Sequence, residues 1–303
     1  MTKGLTMANQ DHTLIVLGTI NRDHTVFVER PPQPGETVLG HDFGTRIGGK
    51  GANQAVAAAR AGVAPRLVSA VGDDSDGQTL MAELERRGVD VTAVAVFPGI
   101  GSGVALITVD AQGENSIVVA GDAGTSLDPE AAASAVTAHV TPGTVVLSQL
   151  ELPLKVVEAA LAAAQSAGAR VVLNLSPAQD IPSALMEMAD PLLLNAHEAA
   201  TIAAQPVTNR AEAEAAAAHL VGRCRSVVIT LGPDGVVHAT AGEEPEFVAS
   251  TRVEVIDTTG AGDAFAGALA ATLAQDGSMA DAVTSGVQAG AAAVQHVGAQ
   301  PPE

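Results

Sequence analysis

The segment Asp257-Thr-Thr-Gly-Ala-Gly-Asp263 combines two things that anion binding and phosphoryl transfer need: backbone donors free of side-chain caps, and a carboxylate beside them. It lies between a β-like stretch, Arg252–Ile256, and a helix expected over Thr258–Ala274. Gly260 and Gly262 let the chain turn tightly, so the first helical N–H groups point outward at the positive end of the helix dipole. With Ala261 between them, they form an anion hole that needs no Lys or Arg. Asp263, in the first turn, is placed to accept a proton from an attacking hydroxyl. A Gly-rich turn with Asp263 as an ordinary helix N-terminal residue fits the same letters.

Five further segments carry polar residues at expected strand ends or helix starts. Gly48-Gly-Lys-Gly-Ala-Asn53 enters a helix; it lacks the G-x-x-x-x-G-K-[ST] spacing of a P-loop. Its glycines allow close approach of a ligand, and Asn53 offers both a donor and an acceptor to a polyol; the alternative is a loop that needs positive φ. Asn21-Arg-Asp-His24 follows the first strand, where open α/β sheets bind ligands, so Asp23 is placed to accept from sugar hydroxyls unless it is a turn aspartate. Glu151, in Leu147-Ser-Gln-Leu-Glu151, also follows a strand. Asn195 and Glu198 are three apart at a helix start, a spacing that suits either a water-bound Mg²⁺ or a simple helix cap. Thr230-Leu-Gly-Pro-Asp-Gly235 is a Gly-rich loop after another strand. The eight histidines show no metal-ligand spacing, and Cys224, between two arginines, reads as a bland thiol.

The elements that must position these residues follow from periodicity. Short branched apolar runs at Leu14–Leu17, Arg66–Val71, Thr144–Leu147, Arg170–Leu173, Leu192–Leu194 and Ser226–Ile229 read as buried parallel strands. Between them, Ala-rich segments at 51–61, 78–87, 129–139, 154–167 and 211–220 read as helices, with a last one at 280–295. Such alternation implies βαβ units and an open, mostly parallel sheet covered on both faces. Thr25–Thr45 and Val94–Ala120, the latter a hairpin turning at Asp110–Gly113, break the rhythm and read as one small protruding antiparallel sheet.

Composition removes several classes of function. The chain has 303 residues, with 34 acidic against 15 basic side chains and a net charge of −19, and no Lys/Arg cluster suited to phosphate backbones, so nucleic acid is not an expected partner. A hydrophobic content of 47% argues for a packed core. No stretch of 18 apolar residues suggests a membrane span, and Met1–His12 lacks the apolar core of a signal peptide. One cysteine excludes an internal disulfide. A cytoplasmic location is the expectation.

In this order, the segments resemble the PfkB, or ribokinase-like, carbohydrate kinases over roughly residues 13 to 300. Gly48-Gly-Lys-Gly-Ala-Asn-Gln-Ala-Val-Ala-Ala58 is similar to that family's ribose-phosphorylating branch, and Asp257–Asp263 to its C-terminal signature. The resemblance implies one domain over residues 1–303, a three-layer α/β/α sandwich with a mostly parallel Rossmann-like sheet, and a small antiparallel β lid at about 24–46 and 93–120. It implies an ATP-dependent kinase in which Asn21, Asp23, Gly49, Lys50, Asn53 and Glu151 hold D-ribose and Ala105 and Val119 cover it. Asp263 would be the base, with the Gly260, Ala261 and Gly262 backbone around the moving phosphoryl group. Asn195 and Glu198 would organise Mg²⁺–ATP, and Thr230, Gly232 and Gly235 would line the nucleotide groove. Asp257, Thr259, Ala293, His296 and Gly298 would hold K⁺, and two lids would pair into a homodimer. The sequence departs from the family at Pro302, where a serine is usual, and at Val287-Gln288, where Asn or His often meets adenine. A kinase for deoxyribose or another sugar, or a non-catalytic sugar-binding protein of the same fold, fits the same resemblance. A dinucleotide-binding oxidoreductase does not fit, because no G-x-G-x-x-G follows Leu14–Leu17.

Overall fold

The computed structural model describes residues 13–300; Met1–His12 and Pro301–Glu303, including Pro302, lie outside the described residues. In chain order the strands are β1 (Leu14–Leu17), β2 (Asn21–Phe27), β3 (His41–Gly48), β4 (Arg66–Gly72), β5 (Val94–Phe97), β6 (Gly103–Val109), β7 (Asn115–Ala120), β8 (Val145–Ser148), β9 (Arg170–Asn174), β10 (Ala189–Asn195), β11 (Ser226–Thr230), β12 (Gly235–Thr240) and β13 (Glu246–Ala249). The helices are α1 (Lys50–Arg60), α2 (Ser75–Arg86), α3 (Asp122–Thr125), α4 (Pro129–Thr137), α5 (Leu154–Ser166), α6 (Ser183–Met188), α7 (Ala196–Ala203), α8 (Arg210–Leu220), α9 (Ala261–Ala274) and α10 (Met279–Ala293).

The main sheet runs β13-β12-β11-β10-β9-β8-β1-β4-β5 and is parallel from β11 to β5, with β12 and β13 antiparallel at one edge. Alternate side chains of each strand go to opposite faces. Leu14 and Val16 enter a core with α1, α2, α9 and α10, while Ile15 and Leu17 enter one with α3 to α8. Small side chains bring the first of these layers close: a Cβ on Gly267 of α9 would stand 2.6 Å from Ala57 Cβ of α1. From β1 the order proceeds to β4 and β5 on one side and from β8 to β11 on the other, so β1/β8 is the topological switch point, where crevices open at strand C-termini.

The second sheet, β3-β2-β6-β7, is the expected lid, with two refinements. Its outer pairs are antiparallel, but β2 and β6 are parallel, because the excursion between them passes through α1, β4, α2 and β5. Val94–Phe97 is not lid: as β5 it pairs with β4 at the edge of the main sheet. A third expectation fails. Arg252–Ile256 forms no strand; it has no neighbouring strand to pair with, and the Ile256 N–H is taken instead by the Val294 carbonyl at 2.8 Å. Accordingly α9 begins at Ala261, three residues after the expected start, with a turn at residues 259–260 just before it. Among the described residues no helix is long and apolar enough to cross a membrane.

On the lid, Leu106 pairs with Val118 on one face, and Ile107 with Ile117 and Ala105 with Val119 on the other. Leu106, Ile117, Val118 and Val119 are all more than half exposed. Each face of the lid thus carries its own exposed apolar pair, Leu106 with Val118 on one and Ile117 with Val119 on the other.

Candidate active site

Polar residues at the C-terminal ends of adjacent strands converge at the switch point. Thr19, after β1, donates its hydroxyl to Glu151, after β8, and Glu151 Oε2 also accepts the Lys50 N–H at 2.9 Å. Glu151 thereby supplies an acceptor at the start of α1, which begins on Gly49 at φ 85 with no side-chain cap. Gly48 is glycine for another reason: a Cβ there would fall on the Asp23 carboxylate. The glycine-rich segment thus serves the protein's own packing as well as any ligand.

Asp263 is buried in the first turn of α9, whose N-cap Gly260 is left-handed (φ 75) and provides no side-chain cap. Asn53 Nδ2 donates to its Oδ2 at 3.1 Å and Gln54 Nε2 to its Oδ1 at 2.9 Å. The orientation of these amides is set from behind. Gln149 Nε2 donates to Gln54 Oε1 at 2.6 Å, and Gln300 Nε2 to Asn53 Oδ1 at 2.9 Å. Gln54 also donates to Asn174 Oδ1 at 3.1 Å. Both carboxylate oxygens therefore face donors, and each keeps a second lone pair for a hydroxyl. Gln54, Gln149, Asn174 and Thr19 were missed from sequence; their signal was position, as polar residues at strand ends or in the first turn of an Ala-rich helix.

A cavity of about 160 Å³ lies against this carboxylate, lined by Lys50, Asn195, Glu198, Thr230, Gly260 and Gly262 among others. Asn195 and Glu198 form a full capping box on α7, with Glu198 N–H to Asn195 Oδ1 and Asn195 N–H to Glu198 Oε2 both at 2.8 Å. The helix-cap alternative is thus realised, yet the buried Glu198 still borders the cavity. Burial raises its carboxyl above the usual range, against the Asn195 N–H and the nearby Lys50 charge. Lys50 reaches both sides, its N–H on Glu151 and its side chain in this cavity. Gly232 and Gly235 do not line it; a Cβ on Gly235 would meet the β13 carbonyl of Val248, a packing reason for glycine there.

Asp23 Oδ1 is buried with no hydrogen-bond donor. Burial, then the charges of Glu151 and Asp263, push the Asp23 carboxyl up from 3.8 to about 7. Its register partner in β6 is Ala105, buried, which pairs in turn with Val119, exposed. Asn21 is buried at the start of β2. A carboxyl whose folded pKa is raised is stabilising while protonated, and that contribution is lost as pH rises from about 4 to about 7. Asp23→Asn removes this titration. Thermal melts from pH 5 to pH 8 should show a stability advantage of the variant that grows with pH and levels off above about 7, reaching on the order of 2 kcal/mol. A gap that stays constant with pH would contradict the raised carboxyl.

Asp257 Oδ1 accepts from Thr259 N–H at 2.8 Å and Thr259 Oγ at 2.6 Å, and its Oδ2 from Gly298 N–H at 2.7 Å. Burial pushes Asp257 up, but these donors and the charge of Arg46 outweigh it and hold it below the usual range. His296 and Ala293 are joined by a backbone hydrogen bond of 3.3 Å in the adjoining turn. Cys224 is buried and its thiol is pushed up to about 12, chiefly by desolvation, which makes it an inert core residue.

The model of the pfkB family carbohydrate kinases matches residues 11–303. A ribokinase of Haemophilus influenzae is 38% identical over 290 residues, covering 95% of this chain and 94% of its own length. A deoxyribokinase of Salmonella typhi is 33% identical, covering 95% and 94%. The structure of Arabidopsis thaliana ribokinase complexed with ribose and ATP superposes with a TM-score of 0.85 at 28% identity, covering 95% of each chain. With an uncapped helix start, a buried carboxylate beside it and a family match along almost the whole chain, this protein belongs to the pfkB carbohydrate kinases and is an ATP-dependent sugar kinase.

Proposed function

We propose that the chain phosphorylates D-ribose at its 5-hydroxyl, with ATP as donor, giving ribose 5-phosphate and ADP. The observation that carries this reading is the buried Asp263 carboxylate, aimed by the Asn53 and Gln54 amides at the uncapped start of α9. Asp263 takes the proton of the sugar hydroxyl as its oxygen attacks the γ-phosphorus; the bond to the β–γ bridging oxygen breaks and ADP leaves. Developing charge on the γ-phosphoryl oxygens meets the α9 N-terminus at Gly260–Gly262; the Ala261 N–H already leans on the Thr258 carbonyl at 3.3 Å.

The orphaned acceptor on Asp23 fits a polyol, since a sugar hydroxyl would supply the donor it lacks. Asn21, Gly49, Asn53 and Glu151 complete the sugar's surroundings, with Ala105 and Val119 above. Lys50, Asn195, Glu198 and Thr230 face the phosphates, and Mg²⁺, held there largely through water, neutralises phosphate charge when bound. The carbonyl-rich turn around Asp257, Thr259, Ala293, His296 and Gly298 is the place for K⁺. The reaction requires no secretion or disulfide, and a cytoplasmic location fits the single buried thiol.

A coupled ADP-release assay over pentoses and hexoses, in K⁺ and in tetramethylammonium, tests the reading. D-ribose should give the highest kcat/KM, about tenfold or more above 2-deoxyribose, because a missing hydroxyl leaves a buried partner unsatisfied at about 1–3 kcal/mol. Rates should be higher in K⁺. Preference for deoxyribose, which the Salmonella relative's name makes the rival, would move the assignment within the family.

The exposed apolar lid supports a homodimer in which two lids cover each other's Leu106 and Val118 faces. Light scattering at micromolar concentration should give twice the chain mass, and Val118→Lys should halve it; a monomeric wild type removes the proposal.

A further inference from the structure

The chain of amides behind Asp263 ends on an unpaired oxygen. Gln149 follows β8 and is buried. Its Nε2 donates to Gln54 Oε1 at 2.6 Å, but its own Oε1 finds no donor among the described residues. Gly18 makes room for that oxygen, since a Cβ there would stand 2.2 Å from it. A buried acceptor without a donor destabilises a fold, and a residue kept in spite of that points to a role outside stability.

Turning the Gln149 amide over does not relieve its oxygen, which would then face Gln54 Oε1, acceptor against acceptor. Gln54 cannot turn with it. Both hydrogens on its Nε2 are taken, by Asp263 Oδ1 at 2.9 Å and Asn174 Oδ1 at 3.1 Å. Asn174 is fixed in turn by donating to the Leu193 carbonyl at 3.3 Å. Polarity therefore runs in one direction, outward from the carboxylate, and the unmet acceptor is left at Gln149. The same turn holds α1 at a second point, where Glu151 Oε2 accepts the Lys50 N–H at 2.9 Å. Residues 149–151 thus grip the first turn of α1 at Lys50 and at Gln54, and that turn presents Gln54 to Asp263.

We propose that Gln149, which touches neither Asp263 nor the cavity beside it, is a positioning residue of the phosphoryl transfer. It fixes the Gln54 amide, and Gln54 holds Asp263 Oδ1 so that the carboxylate meets the attacking hydroxyl in one orientation. The inference rests on Asp263 as the base. Because Gln149 does not line the cavity, its effect falls on the rate of the step and not on the binding of sugar or nucleotide.

Gln149→Met keeps the length of the side chain and removes its polar end. One unmet acceptor, Gln149 Oε1, is replaced by another, Gln54 Oε1, so the variant should melt within a few degrees of wild type. Its kcat should fall about tenfold or more, while KM and the calorimetric sugar affinity stay within about threefold. Gln54→Met removes the donor itself and should lose more. In the double variant, Gln149→Met should add no further loss in kcat, because its action passes through Gln54. A packing role predicts the reverse: a lowered melting temperature and losses that multiply. Gln149→Asn keeps the amide but withdraws it by one methylene; it should lose kcat in the same way and carries the test if the methionine variant does not fold. The assay uses the sugar that the wild type turns over fastest, with Asp263→Asn run beside the series. Wild-type kcat in Gln149→Met, or losses that multiply in the double variant, next to a collapsed Asp263→Asn would overturn this proposal alone. An active Asp263→Asn would remove the base reading and the proposal with it.

Discussion

Asp263→Asn is expected to lower kcat by about 10²–10⁴-fold, the usual worth of a general base, with a much smaller change in sugar affinity. The substitution keeps the shape but replaces one acceptor by a donor. That matters here because Asn53 Nδ2 and Gln54 Nε2 both present donors to the carboxylate. Neither amide can turn over without loss, since Gln149 and Gln300 hold their oxygens. A buried donor–donor conflict costs about 1–3 kcal/mol, so the variant should also melt a few degrees lower yet remain folded at assay temperature. Steady-state kinetics separates the two effects: KM within a few-fold of wild type, kcat collapsed. Ribose binding is best followed by calorimetry, because the chain has no Trp or Tyr to report it. A variant that turns over at more than about a tenth of the wild-type rate would end the general-base assignment.

The second large effect is structural. Gly51→Ala should destabilise the protein by about 1–3 kcal/mol or more and lower activity with it. A Cβ on Gly51 would stand 2.5 Å from the carbonyl carbon of Gly18 and 2.7 Å from both Gly18 Cα and Thr19 N. All three are backbone atoms of the turn that leaves β1, so no side chain can swing aside. Either α1 moves off β1 or the turn does. Both moves break the Ala52 N–H bond to the Thr19 carbonyl, now 3.0 Å, and the Lys50 N–H bond to Glu151. Asn53 and Gln54, on the next residues of α1, would shift away from Asp263, and a displacement of about 1 Å there can cost about 10²-fold in rate. Gly262→Ala is the control: beyond its own stretch of helix nothing lies within 4 Å of the added Cβ, and alanine favours helix, so its melting temperature should equal or exceed wild type. A Gly51→Ala protein that melts like wild type would show that the strand–helix approach is looser than these distances.

Local pattern was enough for the scaffold. Leu14–Leu17 is a strand with those bounds, and Ala-rich helical spacing marked α1, α5 and α8 to within a residue or so. These elements were legible because their periodicity is carried by consecutive residues, and a buried parallel strand has nothing else to be. The motif Asp257–Asp263 was legible for the same reason: an αL glycine at a helix start and the carboxylate after it lie within one turn of each other. What depends on distant partners was not. Whether β2 and β6 run parallel, and whether Val94–Phe97 joins the lid or the main sheet, is decided by pairing across long loops that no local pattern encodes. The donors that aim Asp263 come from residues about 210 positions earlier in the chain. The lifted carboxyl of Asp23 exists only because folding buries it and brings Glu151 and Asp263 near, and an aspartate in a sequence carries no sign of either. Sequence by itself determined which groups are available for chemistry. The tertiary structure decided their protonation and their hydrogen-bond polarity, because charge and desolvation act through space and not along the chain.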